Sequence, residues 1–521
     1  MNRPHPAAHD DTAWLRAILT APVYEAAERT PLDPARRLSA RLGENILLKR
    51  EDEQPVFSFK LRGAYTRLAR LSAEERARGV LAISAGNHAQ GVALGARRLG
   101  LDAVIVMPAT TPAIKVSSVQ ALGARIVLHG DSYDEAAAHG MALLQAEGRT
   151  LIHPYDDQDV IAGQGTVAME LLADHHGKLD AVFIPVGGGG LAAGMATYLK
   201  ALDPSIRVIA VEPDDAACLK AALAANQPVR LEHVGIFVDG CAVRQIGALP
   251  FELLRTRVDE VITVDADQVC AAIRDVFEDT RSIVEPAGAL AVAGMKRWCT
   301  ENPGSGRTLA AVLSGANMNF DRLGYVSERA SVGEEREAIF GVTIPEVRGA
   351  YLDLIRTIGQ RAVTEFNYRY HGARAAQIFL GVQLKNGAIE RQGLAAALRA
   401  AGYGVADYTD SEVARQHVRH MIGGPTGMAR ERLFRFEFPE RPGALLHFLE
   451  TLGSRWNISL FHYRNHGAAD GRVLCGFEVD EANDAAFALD LERLGYWYQE
   501  ETTNPALAQF VSLQRLTTAA T

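Results

Sequence analysis

Between about residues 45 and 320, short apolar runs alternate with longer stretches of helical periodicity. The runs are Gly79–Ser84, Ala103–Pro108, Arg125–Leu128, Ala181–Val186, Val208–Glu212 and Thr308–Ser314. They are nearly continuous in apolar character rather than alternating. That pattern predicts strands of parallel sheet covered on both faces by helices. The stretch is long enough for two lobes with a cleft. Residues 1–20 are polar and then amphipathic, which predicts an N-terminal extension and a first helix.

The pattern changes after residue 330. Ser331–Arg336 reads as a charged connector, and an internal repeat follows. Phe340–Ala350 aligns with Phe434–Ala444, Phe366–Arg369 with Phe461–Arg464, Gly381–Leu384 with Gly476–Val479, and Gly402-Tyr403 with Gly495-Tyr496. Each copy reads strand, turn, helix, strand, strand, helix, strand, the split βαβ order of ferredoxin-like domains. The expected organisation is an extension (1–20), an α/β body (21–330) and two ferredoxin-like subdomains (336–410 and 431–505). A duplicated module behind an α/β body reads as regulatory; a pair of assembly modules without a ligand is the other reading.

Composition narrows the class. The 521 residues carry 48% hydrophobic and 22% charged side chains, ordinary for a globular protein, with a net charge of −9. No basic footprint suggests nucleic acid, and no apolar run is long enough to span a membrane. The N-terminus places His5, Asp10 and Asp11 where a secretory signal would have a basic cluster and an apolar core. Five scattered cysteines without a C-x-x-C pair (Cys218, Cys241, Cys270, Cys299 and Cys475) point to a reducing, cytoplasmic setting.

Two motifs carry the chemistry. Ser58-Phe59-Lys60-Leu61-Arg62-Gly63-Ala64 supplies a lysine in an apolar setting, and a lysine amine can form a Schiff base with an aldehyde cofactor. Gly187-Gly188-Gly189-Gly190-Leu191 lies between a predicted strand and a predicted helix. There backbone N–H groups can close on a phosphate. No Lys-Ser/Thr follows the last glycine and the G-x-G-x-x-G spacing is absent, so neither nucleotide fingerprint applies. Together the two suggest pyridoxal phosphate held at both ends. Taken singly, Lys60 also reads as a surface lysine and the glycines as a flexible turn.

Two further segments fit. In Ser84-Ala85-Gly86-Asn87-His88-Ala89-Gln90-Gly91, backbone amides opening a helix could take a substrate carboxylate, and Asn87 could donate to a phenolate oxygen or serve as an N-cap. His88, beside that cap, reads as structural. Ser314-Gly315-Ala316-Asn317 ends the last strand of the body. Ser314 could meet a pyridine nitrogen or cap a helix. A neutral hydroxyl there would leave the ring less electron-poor, favouring β-elimination over transamination.

These four segments together resemble the biosynthetic threonine dehydratase (threonine ammonia-lyase) family of fold-type II pyridoxal-phosphate enzymes. The resemblance covers nearly the whole chain after residue 20, including a doubled ACT-like tail. It implies a pyridoxal-phosphate catalytic domain over 21–330 and roles residue by residue. Lys60 would be the Schiff-base lysine and the base for the α-proton. Phe59 would pack near the ring and Asn87 would contact the ring oxygen. Gly187, Gly188, Gly189, Gly190 and Leu191 would cradle the phosphate, and Ser314 would face the pyridine nitrogen. Ser84, Gly86, Asn87 and His88 would line the substrate carboxylate site.

The resemblance further implies dehydration and deamination of L-threonine to 2-oxobutanoate, with L-serine as a secondary substrate. It implies inhibition by isoleucine opposed by valine, and a homotetramer. Candidate walls of an effector pocket are Phe366, Tyr368 and Arg369 with Phe461, Tyr463 and Arg464; ordinary sheet packing is the alternative for each. Related serine racemases and dehydratases hold a divalent cation near a Glu-Pro segment. Glu212 and Ala216 fit that pattern, but Cys218 stands where a carboxylate ligand belongs, so no metal is expected. Two other readings stand beside this one: a serine-directed lyase or racemase on the same body, and a non-catalytic amino-acid sensor.

Overall fold

A computed structural model describes residues 7–333, 336–345, 350–359, 361, 363–368, 375–420, 430–439, 448, 451–452, 456–464 and 470–510. The chain divides between Phe320 and Asp321 into two compact units.

The first unit holds two sheets. Its strands are β1 (Leu32–Pro34), β2 (Asn45–Arg50), β3 (Val80–Ile83), β4 (Ala103–Met107), β5 (Arg125–Leu128), β6 (Thr150–Leu151), β7 (Ala181–Pro185), β8 (Arg207–Pro213), β9 (Glu260–Val264) and β10 (Thr308–Leu313). The larger sheet runs β1-β2-β10-β7-β8-β9 and the smaller β5-β4-β3-β6. All pairings are parallel except β1 with β2. The antiparallel strand lies at the edge, where Pro34 removes no ladder donor from a neighbour. Every residue of β3, β4 and β7 is buried, as helices on both faces require. The helix Asp11–Leu19 sends Trp14 and Ile18, both fully buried, into the core of the larger lobe. The sequence pattern does not single out β1 and β6, which are only three and two residues long, or β2 and β9, whose apolar residues are mixed with polar ones.

One internal feature sets the orientation of several elements. Arg62 is fully buried on the helix Lys60–Ala69 and grips two carboxylates at once. It bonds Glu51 at 2.7 and 2.8 Å and Glu170 at 2.6 and 2.9 Å. Lys49 of β2 adds a 2.6 Å bond to Glu170 and another to the Thr30 carbonyl. The Thr30 and Tyr24 hydroxyls and the Gln54 amide take remaining carboxylate lone pairs. Two buried cations thus face two buried anions, with hydrogen bonds filling the remainder.

The second unit opens with the helix Arg322–Gly333. Ser331-Val332-Gly333, which the sequence pattern places in a charged connector, is the last described turn of that helix. Two four-stranded antiparallel sheets follow among the described residues. The first is built from β11 (Glu337–Pro345), β12 (Val363–Tyr368), β13 (Ala375–Gln383) and β14 (Gly404–Asp407) in the order β12-β13-β11-β14. The second is built from β15 (Glu431–Pro439), β16 (Asn457–Arg464), β17 (Asp470–Glu478) and β18 (Trp497–Glu500) in the order β16-β17-β15-β18.

The repeat holds at single-residue register. Ile339 pairs with Gly381 as Leu433 pairs with Gly476, and Phe366 pairs with Leu380 as Phe461 pairs with Cys475. β12 and β16 both carry a register shift just before those phenylalanines. Each subdomain has its own core, Phe340, Leu354 and Leu380 in one and Phe434, Phe448 and Phe477 in the other. Ile339, Phe379 and Tyr408 also pack with Leu433, Leu474 and Leu507 between the two.

Replacing Arg62 by Met would leave Glu51 and Glu170 without their main partner in a dry interior. A loss of about 3–5 kcal/mol is expected, measured by urea denaturation.

Candidate active site

The segment before Lys60 is tied to the segment after β10. Phe57 has a φ of 54°, a left-handed value rare outside glycine, which turns the chain so that Ser58 bridges Gly315. The Phe59 N–H donates to the Ser314 carbonyl at 3.2 Å, and the Ala316 N–H to the Phe57 carbonyl at 2.9 Å. Lys60 is therefore the first residue of a helix whose start is stitched to the end of the central strand. Its side chain is half-buried, with Nζ 4.6 Å from the centre of the Phe59 ring.

The glycine loop follows β7. Gly189 has a φ of 92° and caps the helix Gly190–Leu202, whose first N–H groups have no acceptor within the helix. Gly188 packs flat on Tyr155: a Cβ there would stand 2.2 Å from the ring. The turn Asp239–Cys241 closes the loop from the side, with the Cys241 Cα 2.9 Å from a Cβ built on Gly187. This arrangement, bare backbone at a helix N-terminus walled by tightly packed neighbours, suits a phosphate.

Across the cleft, the smaller lobe contributes the loop after β3. Ser84, Ala85 and Gly86 are half-exposed, and a Cβ on Gly86 would meet no atom within 4 Å. Gly86 is the cap and Asn87 the first residue of the helix Asn87–Leu99. The N-cap reading of Asn87 is thus replaced: its side chain points to the larger lobe, donating from Nδ2 to Glu285 at 2.6 Å and accepting at Oδ1 from Asn317 at 2.7 Å. His88 is buried with Nε2 2.8 Å from the Ile152 carbonyl, so that nitrogen carries the proton. What position 88 offers the cleft is its backbone. Burial lowers the His88 pKa to about 4, the hydrogen bond opposes the shift, and the charges of His153 and Lys60 add to it. Ser314 is buried and donates to the Ala287 carbonyl at 3.0 Å, so its oxygen turns only lone pairs elsewhere.

Around this centre two carboxyls, of Glu285 and Glu212, and two thiols, of Cys218 and Cys241, are held towards their neutral forms. Burial raises the Glu285 pKa, the Asp239 charge adds to that, and Lys60 and Asn87 oppose it. Burial pushes Glu212 up to about 7, although both its oxygens accept backbone N–H groups, from Leu219 at 2.7 Å and Lys220 at 2.9 Å. Cys218 donates to the Gly187 carbonyl at 3.3 Å, and burial pushes Cys241 up to about 12. Lys60 is close enough for its charge to act on His88, Cys241 and Glu285 alike.

The four motifs read from sequence therefore belong to one cleft. No sequence motif marks Glu285 or Tyr155, and Asn317 enters only as the last residue of the Ser314–Asn317 motif. Pro286 at the first turn of the helix Pro286–Glu301 was a legible signal for a cap at Glu285, but not for its partner across the cleft. In the second unit, Arg369 and the side chains of Phe366, Tyr368, Phe461, Tyr463 and Arg464 lie outside the described residues.

Residues 23–315 match the family described as pyridoxal-phosphate dependent enzyme. Residues 328–418 and 423–511 each match the C-terminal regulatory domain of threonine dehydratase. The chain belongs to the pyridoxal-phosphate-dependent enzymes, in the branch that carries the threonine dehydratase regulatory domain twice. It is 53% identical over 513 residues to the biosynthetic L-threonine dehydratase IlvA of Escherichia coli (strain K12), covering 98% of this chain and 99% of that one. It is 52% identical over 510 residues to the biosynthetic L-threonine dehydratase IlvA of Burkholderia multivorans, covering 97% and 100%. Among solved structures, the processed form of threonine deaminase isoform 2 from Solanum lycopersicum is 45% identical with a TM-score of 0.61, covering 63% of this chain and 96% of that one.

Two outcomes follow from the packing. Gly188→Ala should weaken pyridoxal phosphate binding by more than about tenfold, because the loop must move off Tyr155, as an absorbance titration of the apoprotein will report. His88 has a folded pKa of about 4 against an ordinary 6.5. The unfolded chain thus binds the extra proton first, and stability falls as pH drops through that window, by roughly 3 kcal/mol in all. In His88→Gln that part of the acid loss should vanish from denaturation curves taken at pH 7, 5.5 and 4.

Proposed function

We propose that this chain converts L-threonine to 2-oxobutanoate and ammonia, as the first committed step of isoleucine synthesis, with L-serine as a slower substrate. The observation that carries this is one cleft in which the lysine segment, the glycine loop, the Asn87 loop and Ser314 meet, on a chain that also bears the doubled regulatory domain. When bound, pyridoxal phosphate supplies an electrophilic carbonyl for the substrate amine and an electron sink for the bond broken at Cα.

The protein's own residues then divide the work. Backbone N–H groups of Gly187–Leu191 hold the phosphate at the helix N-terminus. Those of the Ser84, Gly86, Asn87 and His88 segment hold the substrate carboxylate, aided by the positive end of their helix. Asn87 donates to the ring oxygen, and Phe59 flanks the ring. Ser314 would face the ring nitrogen as a neutral donor, its hydroxyl hydrogen turning from the Ala287 carbonyl to that nitrogen, which would leave the ring unprotonated and favour prompt departure of the β-hydroxyl. The amine of Lys60 takes the α-proton. Serine differs from threonine by one methyl group, whose recognition is worth only about 1–3 kcal/mol, so some serine turns over.

The extension 1–20 precedes a catalytic domain over 21–330 in this reading, and 336–410 and 431–505 are the regulatory subdomains. Isoleucine bound to the tail favours a less active state, and valine opposes it. The equivalent register of Phe366 and Phe461, each just past a bulge, supports Phe366–Arg369 and Phe461–Arg464 as paired walls of effector pockets. We read the assembly as a homotetramer. The five cysteines are buried thiols, which supports a reducing, cytoplasmic setting.

The test is 2-oxo acid release from threonine and from serine, with and without isoleucine and valine. Threonine turnover that isoleucine suppresses and valine restores is expected, as is complete loss of turnover and of the yellow colour in Lys60→Ala. A yellow protein inactive on threonine would overturn the substrate; turnover indifferent to isoleucine would overturn the effector.

A further inference from the structure

The buried carboxyl of Glu285 has no task in the reaction described above, yet it sits against the residue that meets the cofactor ring. Glu285 occupies the N-cap position of the helix Pro286–Glu301 without a side-chain capping bond, and its own N–H donates to the Gly315 carbonyl at 3.1 Å. A Cβ on Gly315 would stand 2.7 Å from its Oε1, so the neighbouring glycine leaves just enough room for the carboxyl. Oε1 accepts from Asn87 Nδ2 at 2.6 Å.

On the other side of the same amide, Asn317 donates from Nδ2 to both the Val56 carbonyl, at 2.8 Å, and Asn87 Oδ1, at 2.7 Å. The Val56 carbonyl can only accept, so the Asn317 amide cannot be reversed. Asn87 is thereby held between an acceptor on its nitrogen side and a donor on its oxygen side. One Nδ2 hydrogen goes to Glu285, and only one donor is left for anything else. The phenolate oxygen of pyridoxal phosphate is an acceptor and matches that remaining hydrogen.

We propose that Glu285 is a positioning residue, which fixes the Asn87 side-chain amide so that its nitrogen rather than its oxygen meets the cofactor. This rests on the reading of Asn87 given under Proposed function. Glu285 bonds Asn87; burial, the largest cause, and the Asp239 charge favour its uncharged acid, against the Lys60 charge, the Asn87 bond and the Lys115 charge. An uncharged acceptor of the same size therefore performs the task, whereas an apolar side chain of similar volume does not.

The experiment is a double-mutant cycle read as the dissociation constant of pyridoxal phosphate, from absorbance titration of the apoprotein. Glu285→Ala and Glu285→Met should each weaken binding about tenfold, the effect of one misdirected hydrogen bond. Glu285→Gln should stay within about threefold of the parent. In an Asn87→Ala background, Glu285→Met should add less than about twofold, because its effect passes through the missing amide. Equal losses in both backgrounds, or a Gln variant as weak as Met, would overturn the proposal in favour of simple packing. Met and Gln keep the buried volume, so the comparison stands even if the Ala variant does not fold. A parent protein that binds the cofactor without acting on threonine would sink the substrate reading and leave the cycle readable. A parent that binds no pyridoxal phosphate would overturn both.

Discussion

The double ion pair of Arg62 with Glu51 and Glu170 is the constraint on which the geometry of the cleft depends. Arg62 lies two residues beyond Lys60 on the same short helix. Its guanidinium is a planar fork, and two carboxylates from separate elements fill it. Burial alone would raise the Glu170 pKa, but Arg62 and Lys49 together hold it below the ordinary value. Such a cluster contributes little net stability, since each ion gives up its hydration. What it provides is a single allowed position. The helix cannot rotate or slide without parting charges in a dry interior, so the amine of Lys60 is aimed by interactions on the far side of its own helix.

The cleft itself is assembled from seams between elements. The turn at Phe57 is laced to the residues after β10, the glycine loop is pressed between Tyr155 and Cys241, and Asn87 reaches from the smaller lobe to residues of the larger. Charge is used sparingly there. Glu212, Glu285, Cys218 and Cys241 are all pushed towards their uncharged forms, largely by burial. That leaves Lys60, the backbone dipoles and the Asp239–Lys115 ion pair to set the field around an anionic cofactor. In a low-dielectric site, each uncompensated carboxylate would oppose the binding of phosphate.

The tail repeats one solution twice. Glycine at 381 and 476 opposes Ile339 and Leu433, and a bulge precedes Phe366 and Phe461 in both copies. The cores differ in character, the second being far richer in phenylalanine. Duplication kept the backbone pattern while the side chains diverged.

Much of this was legible in the chain itself. Continuous apolar runs marked β3, β4, β7, β8 and β10, because strands buried on both faces admit little else, and also β5, an edge strand that is only half-buried. The four motifs announced the cofactor, because a phosphate needs bare backbone and an aldehyde needs an amine. The repeat declared the doubled tail. The sequence could not say that Asn87 caps nothing and instead crosses the cleft, that Glu285 and Asn317 hold its amide, or that Arg62 closes on two glutamates, one of them 108 residues away. Local pattern is short-ranged: it tells which face of an element is buried. Which charged group meets which across hundreds of residues is decided only when the lobes come together, since a buried polar group is tolerated only beside a specific partner.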